Sequence, residues 1–574
     1  MALRGLILVL ATLSVATLAE AQQDGTRVLT VLATNDFHGA LGGVQEVELA
    51  GNARWLGGLE YLAGLIAMLR ANAPGPSVLL DAGDCFQGDL AVNQSEGMTC
   101  VKMFELMQYD AVTIGNHEFD YLSCGPDEVV MERGPEGFRT KAPDDPRCAL
   151  RKAVAEARYP VVLANCRDAS SNERGPVPGV RPYVVKDVQG VKVGITGVVT
   201  RSTPMVSNPG GTAGLVFTDP VKEVRDVLPK MRAEGAQVVV VLAHLTGECR
   251  GEEGFPRNGE TKCAITGELG DLANAFRPGE VDLIVAGHSH VYLAGGRTAV
   301  PVMEAVAQGR FVARAEVSLD SKTGQVKGVR VLPAAPVCRA EDKDSRVCSH
   351  SFPGFVGVAQ PDQAALALRE EAEAKVRGQC GQVIATVKSD IKHGRGIESP
   401  LADLAADMMR EAATKEAGAK GPGPADFAFI NLGATRDSLM AGPVTACDLY
   451  RIWPFEDRLA ELDLTGAELL RLFGFVTGKV KKSLAISGGT LVTGRGGVEL
   501  LDASGSPVKP DKVYRVVTTL YLLRGGDRVN EAIGNLPEER VRILSYPTYR
   551  DAFRAVMERR KTLKPPVTDR VRRR

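Results

Sequence analysis

The 574 residues carry almost no net charge, no CxxC spacing and no long apolar run beyond the N-terminus, and each absence removes a class of function. With 69 Lys and Arg against 70 Asp and Glu, the formal charge is −1, so no overall field draws the chain to nucleic acid or to a membrane surface. No segment past the first two dozen residues is apolar over the length a bilayer requires, and the charged C-terminus lacks the hydrophobic tail of a lipid-anchor signal. The eleven cysteines include no CxxC pair, so they do not read as a thiolate metal site. Internal repeats and low-complexity stretches are absent as well. Histidine is scarce, with seven in all, so where the histidines fall becomes informative.

The chain opens with MALRGLILVLATLSVATLAEAQQ. Arg4 supplies a positive start, Gly5 to Leu18 an apolar stretch short of a membrane span, and Ala19-Glu20-Ala21 a small-x-small cleavage site. No cysteine follows that site. The expectation is a signal peptide over residues 1–21 and a periplasmic or secreted protein with no stable membrane anchor. In that setting cysteines pair. Cys124 with Cys148, Cys249 with Cys263 and Cys338 with Cys348 are close in sequence and lie in loop-like segments, and the odd total leaves at least one free thiol.

The length exceeds what one core organises, so two domains are expected. The first half alternates short apolar runs with amphipathic ones. Strands are expected over Arg27–Ala33, Ser77–Leu80, Ala111–Ile114, Pro160–Leu163, Val191–Val199, Gln237–Leu242 and Val281–Val285, and helices over Trp55–Arg70 and Val101–Met107. The run Val238-Val239-Val240-Val241-Leu242 has no polar alternation and suits a strand buried on both faces. The pattern is α/β. Residues 333–357 hold prolines and two cysteines and look like a boundary. A helix follows, capped by Asp362, with Glu371 and Lys375 four apart in the favourable order. The second half mixes helices such as Ala402–Arg410 with strands such as Tyr514–Leu520. The stretch Arg559–Arg574 is basic and is expected to be a solvated tail.

Five of the seven histidines fall in four polar motifs, Asn35-Asp36-Phe37-His38, Gly115-Asn116-His117-Glu118, Ala243-His244 and Gly287-His288-Ser289-His290. A fifth motif, Gly83-Asp84-Cys85-Phe86-Gln87-Gly88, follows Leu79-Leu80. Each sits at the carboxyl end of an expected strand, where open α/β sheets build their sites, so loops far apart in sequence can meet at one edge. Asp, His and Asn offer oxygen and imidazole donors for metals such as Zn, Mn or Fe(II). Paired ions ~3.5–4 Å apart need a bridging carboxylate and can acidify a shared water. An aspartate after a strand is also a common helix cap, and a lone histidine is commonly a hydrogen-bonded core residue. Five such motifs in order leave little room for that reading. His350 and His393 lie outside the set and read as surface residues.

The series DxH, GDxxQG, GNHE, H and GHxH resembles that of the calcineurin-like metallophosphoesterases, and its order is most similar to the 5′-nucleotidase branch. The resemblance covers nearly the whole mature chain. It implies a four-layer α/β metallophosphoesterase sandwich over residues 22–335, a linker and helix over 336–379, and a smaller α+β 5′-nucleotidase C-terminal domain over 380–548; by its charge, the remainder over 549–574 is expected to be a basic tail. It further implies two divalent metal ions. One would be held by Asp36, His38 and His290, the other by Asn116, His244 and His288, with Asp84 bridging. His117 would be catalytic, contacting the phosphoryl group or protonating the leaving oxygen, and Asp120 would orient it. Asn165 is a further phosphate-contact candidate.

In the second half, Arg395-Gly396-Ile397-Glu398-Ser399, Asn431-Leu432-Gly433-Ala434-Thr435-Arg436, Trp453-Pro454-Phe455 and Tyr521-Leu522-Leu523-Arg524-Gly525-Gly526-Asp527 are similar to the family's substrate-binding segments. The likeness implies phosphate and ribose contacts from Arg395, Asn431, Arg436 and Asp527, and a base held between Phe455 and Tyr521. Aromatic faces stack bases, and arginines bind phosphate through paired hydrogen bonds. Leu432 and Ala434 stand where the family has glycine, and Tyr521 where it has phenylalanine.

The expected function is an extracytoplasmic hydrolase of nucleotides, of 5′-nucleotidase or UDP-sugar hydrolase type, in which a metal-bridging hydroxide attacks phosphorus in line. Its substrate would be a nucleotide or nucleotide sugar, without a nucleic-acid partner. Alternatives within the superfamily are a 2′,3′-cyclic nucleotide phosphodiesterase and a thiosulfate-pathway di-manganese hydrolase. The alternative from another class is a non-catalytic nucleotide-binding protein.

Overall fold

The computed structural model describes residues 25–46, 54–121, 124, 131–134, 137–140, 145–250, 256, 258–339, 348, 352–394, 397–417, 425–480, 483–494, 497–534 and 536–574. The expected signal segment, Arg395 and His350 lie outside the described residues.

Two six-stranded sheets form the first half. One runs, in spatial order, Val326–Pro336, Phe311–Asp320, Thr26–Thr34, Ser77–Asp81, Ala111–Thr113 and Val161–Val162. The other runs Tyr183–Val188, Val191–Val199, Val238–His244, Leu283–Gly287, Val302–Ala305 and Tyr292–Ala294. The motif-bearing strands of each sheet are parallel, so their carboxyl ends share an edge. Leu29, Val31, Val78 and Leu80 of the first sheet pack face to face with Val193, Val238, Val240 and Leu283 of the second. The outer face of the first sheet is covered by helices Leu59–Ala71, Met98–Leu106 and Cys148–Glu156. That of the second is covered by Pro220–Ala233 and Gly267–Asn274. This is the four-layer α/β sandwich. The Val238 strand is buried along its whole length, with alternate side chains entering the central core and the outer one, as its unbroken apolar run requires.

The helix expected from Trp55 begins at Leu59 instead. Gly57 and Gly58 take φ of 76° and 98°, which ends the short strand Arg54–Leu56 and keeps the helix from starting earlier. The linker helix runs Gln363–Cys380. The Asp362 carboxylate caps it by accepting from the Ala365 N–H at 2.9 Å, and Lys375 pairs with Glu371 at 3.0 Å. Ala365, Ala372 and Val376 bury into the outer layer of the N-terminal domain, and Arg369 bridges to Glu60 at 3.0 Å.

The second domain is built on a five-stranded sheet in the order Leu484–Ser487, Phe427–Asn431, Val513–Thr519, Leu459–Thr465 and Val541–Ile543. The helix Pro400–Ala417 packs against it. The expected solvated tail is a correction. Helix Tyr549–Arg560 inserts Ala552, Phe553, Val556 and Met557 into the same core, fully buried. Strand Thr562–Leu563 pairs with Val383–Val387, and Val571–Arg573 pairs with Gly489–Gly494. The basic residues have partners: Arg560 meets Glu411 and Arg570 meets Asp407, at 2.7 and 2.8 Å. The arginines masked an apolar stripe at helical spacing.

The three cysteine pairs expected from proximity are joined, and Cys85–Cys100 and Cys380–Cys447 are joined as well. Cys166 is the free thiol, buried. Among the described residues no helix is long and apolar enough to cross a membrane.

Candidate metal centre and substrate cavity

At the shared strand edge, two groups of side chains gather their donor atoms within 4.8 Å: Asp36, His38 and His290, and Asp84, His244 and His288. Asp36 Oδ1 lies 3.1 Å from His290 Nε2 and 3.9 Å from His38 Nε2. Asp84 Oδ2 lies 3.0 Å from His244 Nε2 in its own group and 3.8 Å from His38 Nε2 in the other, so this carboxylate faces both groups. Asn116 joins the second group, with Oδ1 3.2 Å from His244 Nε2 and Nδ2 donating to Val206 O at 3.0 Å.

The backbone carries a cost to achieve this. Asp36, His38, Asp84, Gln87, His288 and His290 all have φ between 48° and 83°. Such left-handed non-glycine residues cost of order 1–3 kcal/mol each and cluster at functional sites. Surrounding groups hold them in place. The Glu118 carboxylate accepts N–H groups from Asp84, Cys85, Phe86 and Gly115, and Asn35 donates to Asp36 Oδ2 at 2.7 Å. His38 Nδ1 donates to Gln87 O at 2.9 Å and His244 Nδ1 to Ala82 O at 2.8 Å, which turns both Nε2 atoms inward.

The electrostatics fit cations. Asp36 and Asp84 are fully buried, which would raise their pKa values. Neighbouring histidines, His290 and His244 for Asp36 and His244 and His117 for Asp84, instead hold both carboxyls below the ordinary range. Burial drives His288 down to about 3 and His38 well below its usual value, so both imidazoles are neutral donors. For His244 the carboxylates Asp84 and Asp36 overcome burial and lift it to about 10, the sign expected where a positive partner is wanted. Two buried carboxylates beside the neutral imidazoles of His38 and His288, with His244 drawn to positive charge, are a donor set suited to a divalent pair.

His117 stands beside these groups. Its Nδ1 is 2.6 Å from Asp120 Oδ2, and Asp120 Oδ1 accepts the Asn208 N–H at 2.8 Å. Burial would lower the His117 pKa, but Asp120 and Asp84 raise it above the usual value. Its Nε2 meets Arg436 of the second domain at 3.4 Å, and the same guanidinium is 3.3 Å from His38 Nε2. Arg436 stacks over the Phe455 ring, which lies 5.7 Å from the His117 ring.

A cavity of about 1590 Å³ between the domains is lined by Asp84, Asn116, His117, Asp120, His288 and His290 on one side, and by Asn431, Arg436, Phe455, Tyr521 and Asp527 on the other. Leu432 and Ala434 also line it. Beside Asp527, Arg524 faces the cavity, whereas Arg528 pairs with Glu531 at 2.5 Å. Two readings change. Asn165 is fully buried, donating to Val199 O and Thr218 O and accepting the Val199 N–H, so it ties loops together away from the cavity. His393 lines the cavity with Nδ1 3.0 Å from Thr435 Oγ1, and is not a plain surface residue. Glu118 and Asn35 escaped sequence reasoning as supports, although both sit inside motifs already singled out.

Residues 29–292 match the calcineurin-like phosphoesterase model and residues 381–533 the 5′-nucleotidase C-terminal domain. Endonuclease YhcR of Bacillus subtilis is 28% identical over 88% of this chain, which spans only 38% of that longer protein. The 5′-nucleotidase of Vibrio cholerae is 26% identical over 90% of this chain and 89% of its own length. The solved 5′-nucleotidase precursor of Thermus thermophilus superposes with a TM-score of 0.72 at 26% identity, covering 95% of this chain and 99% of that one. The chain is a phosphoester hydrolase, and it belongs to the 5′-nucleotidase family, with a calcineurin-like phosphoesterase domain followed by a 5′-nucleotidase C-terminal domain.

Proposed function

We propose that this chain is an extracytoplasmic hydrolase of nucleotides or nucleotide sugars, working with two divalent metals in the cavity between its domains. The observation that carries the proposal is that one cavity joins the two acidic-imidazole groups to the arginine and aromatic residues of the second domain. Asp36, His38 and His290 would hold one ion, Asn116, His244 and His288 the other, and Asp84 both. Such a pair supplies, when bound, an acidified water and Lewis-acid stabilisation of phosphoryl oxygens.

The protein's own residues do the rest. Asp120 accepts from His117 Nδ1 and fixes which ring nitrogen faces the cavity. His117, with its pKa raised, presents Nε2 to the cavity, where a proton on it would stabilise phosphoryl charge or pass to the leaving oxygen. Arg436 brings a permanent positive charge to the same point from the other domain, so the centre is complete only when both domains contribute. Phe455 and Tyr521 would hold the base, with Asn431 and Asp527 contacting ribose and phosphate. Arg395 belongs to the same proposal by sequence.

The proposed division is a catalytic domain over 22–335, a linker and helix over 336–379 and a substrate domain from 380. The five disulfides support an oxidising compartment. A panel of AMP, UDP-glucose, 2′,3′-cAMP and an aryl phosphate, assayed with added Zn or Mn, tests the reading. Phosphate release from AMP or cleavage of UDP-glucose supports it. Turnover of the cyclic diester alone, or of none, refutes it.

A further inference from the structure

Tyr521 does something that ring stacking does not explain. Its ring lies against Gly526, where an added Cβ would come within 2.4 Å of Cε1, and its backbone N–H donates to Asp457 Oδ2 at 2.9 Å, which ties the main chain at this residue. Its hydroxyl leaves the second domain and donates to Met205 O of the first at 2.7 Å. Burial, with the Asp527 and Asp120 carboxylates, pushes the phenol well above 10, so the oxygen keeps its proton to donate.

Met205 belongs to the short turn Thr203–Val206, and Val206, Ser207 and Asn208 line the cavity beside Asn116 and Asp120. The Thr200 N–H donates to His244 O at 2.9 Å. Val206 O accepts from Asn116 Nδ2 at 3.0 Å, and Ser207 Oγ donates to Asn116 O at 2.8 Å. The Asn208 N–H donates to Asp120 Oδ1 at 2.8 Å. Nine consecutive residues therefore hold the Asn116 amide, the Asp120 carboxylate and the end of the His244 strand, and the tyrosine hydroxyl grips the middle of them. A phenylalanine would offer a base the same ring and leave that grip unmade.

We propose that the Tyr521 hydroxyl is a positioning group: by fastening the second domain to Met205 O it fixes the 200–208 segment, and through it the direction of Asn116 Oδ1 and of the Asp120–His117 pair. The effect is independent of any base in the substrate. It rests on the proposed two-metal hydrolysis of a phosphate ester, and it stands apart from the nucleotide reading.

The test is Tyr521→Phe in the full-length protein, alone and combined with Ser207→Ala, which cuts the tie between the segment and Asn116. Rates are measured on AMP and on glycerol phosphate, which has no base, and ion affinity by chelator competition with Mn. One net hydrogen bond corresponds to about a 5-fold effect. In Tyr521→Phe, kcat is expected to fall about 5-fold on both substrates, and one of the two ions to be held about 3- to 10-fold more weakly. The double variant should lose less than the product of the single losses, because both changes loosen one segment. Wild-type rates, a loss confined to AMP, unchanged affinity for both ions, or losses that simply multiply would each overturn the proposal. If AMP is not a substrate at all, glycerol phosphate alone decides it.

Discussion

Replacing His117 with asparagine is expected to lower kcat by about 100- to 1000-fold while both metals stay bound. The imidazole reaches the cavity through Nε2 because Nδ1 is engaged by Asp120 at 2.6 Å, and Asp120 is itself held by the Asn208 N–H. Asp120 and Asp84 raise its pKa against the pull of burial, so it carries its proton nearer neutral pH than a free histidine does. Asparagine keeps a polar group of similar reach and removes the transferable proton and the charge. A positioned general acid contributes roughly 10²–10⁴-fold, and one donor to transition-state charge roughly 10²–10³-fold. The lower part of that range applies because Arg436, 3.4 Å from Nε2, still faces the same oxygens. Steady-state turnover of AMP at saturation, with metal content measured on the same preparation, reads both halves of the expectation. Turnover near wild type would make His117 a structural residue. Loss of a metal equivalent would make it a ligand.

Asp84→Ala should abolish hydrolysis and pair occupancy together, since one carboxylate faces both groups; metal analysis showing two retained ions would remove its bridging role. Phe455→Ala should lower kcat/KM for AMP about 10-fold, from stacking worth ~1–3 kcal/mol, and lower that for glycerol phosphate less. An unchanged ratio between the two substrates would mean that Phe455 only supports Arg436 and the core. Mass spectrometry of unreduced peptides should find Cys124 linked to Cys148 and Cys249 linked to Cys263, with Cys166 as the free thiol; four free thiols at the paired positions would contradict both pairings.

The centre was legible because its signals are local. Asp36, Asp84, Asn116, His244, His288 and His290 each lie at the end of a strand or within three residues of it, and parallel strands bring their ends to one edge whatever the distance in sequence. The doubly buried Val238 strand is legible from its apolar run without polar alternation. Features set by tertiary packing were not. Cys380 and Cys447 are 67 residues apart and meet only because the linker helix docks beside Ala446–Ile452. Arg436 could be placed in a loop, but its reach to His38 and His117 depends on how the second domain sits. Asn165 has the right residue type and neighbourhood for a phosphate contact, yet backbone groups take its amide. The tail reads as solvated in sequence because the charge at Arg559 and Arg560 adjoins and conceals the apolar stripe Phe553, Val556 and Met557.

The most direct test of the dimetal account is metal stoichiometry and turnover on one purified sample, before and after chelation and on re-addition of Mn or Zn. The account predicts two ions per chain, phosphate release from AMP that disappears with the ions, and recovery of both together. A chain that binds AMP but holds no paired ions and releases no phosphate under any metal would contradict it, and would leave a nucleotide-binding protein in place of a hydrolase.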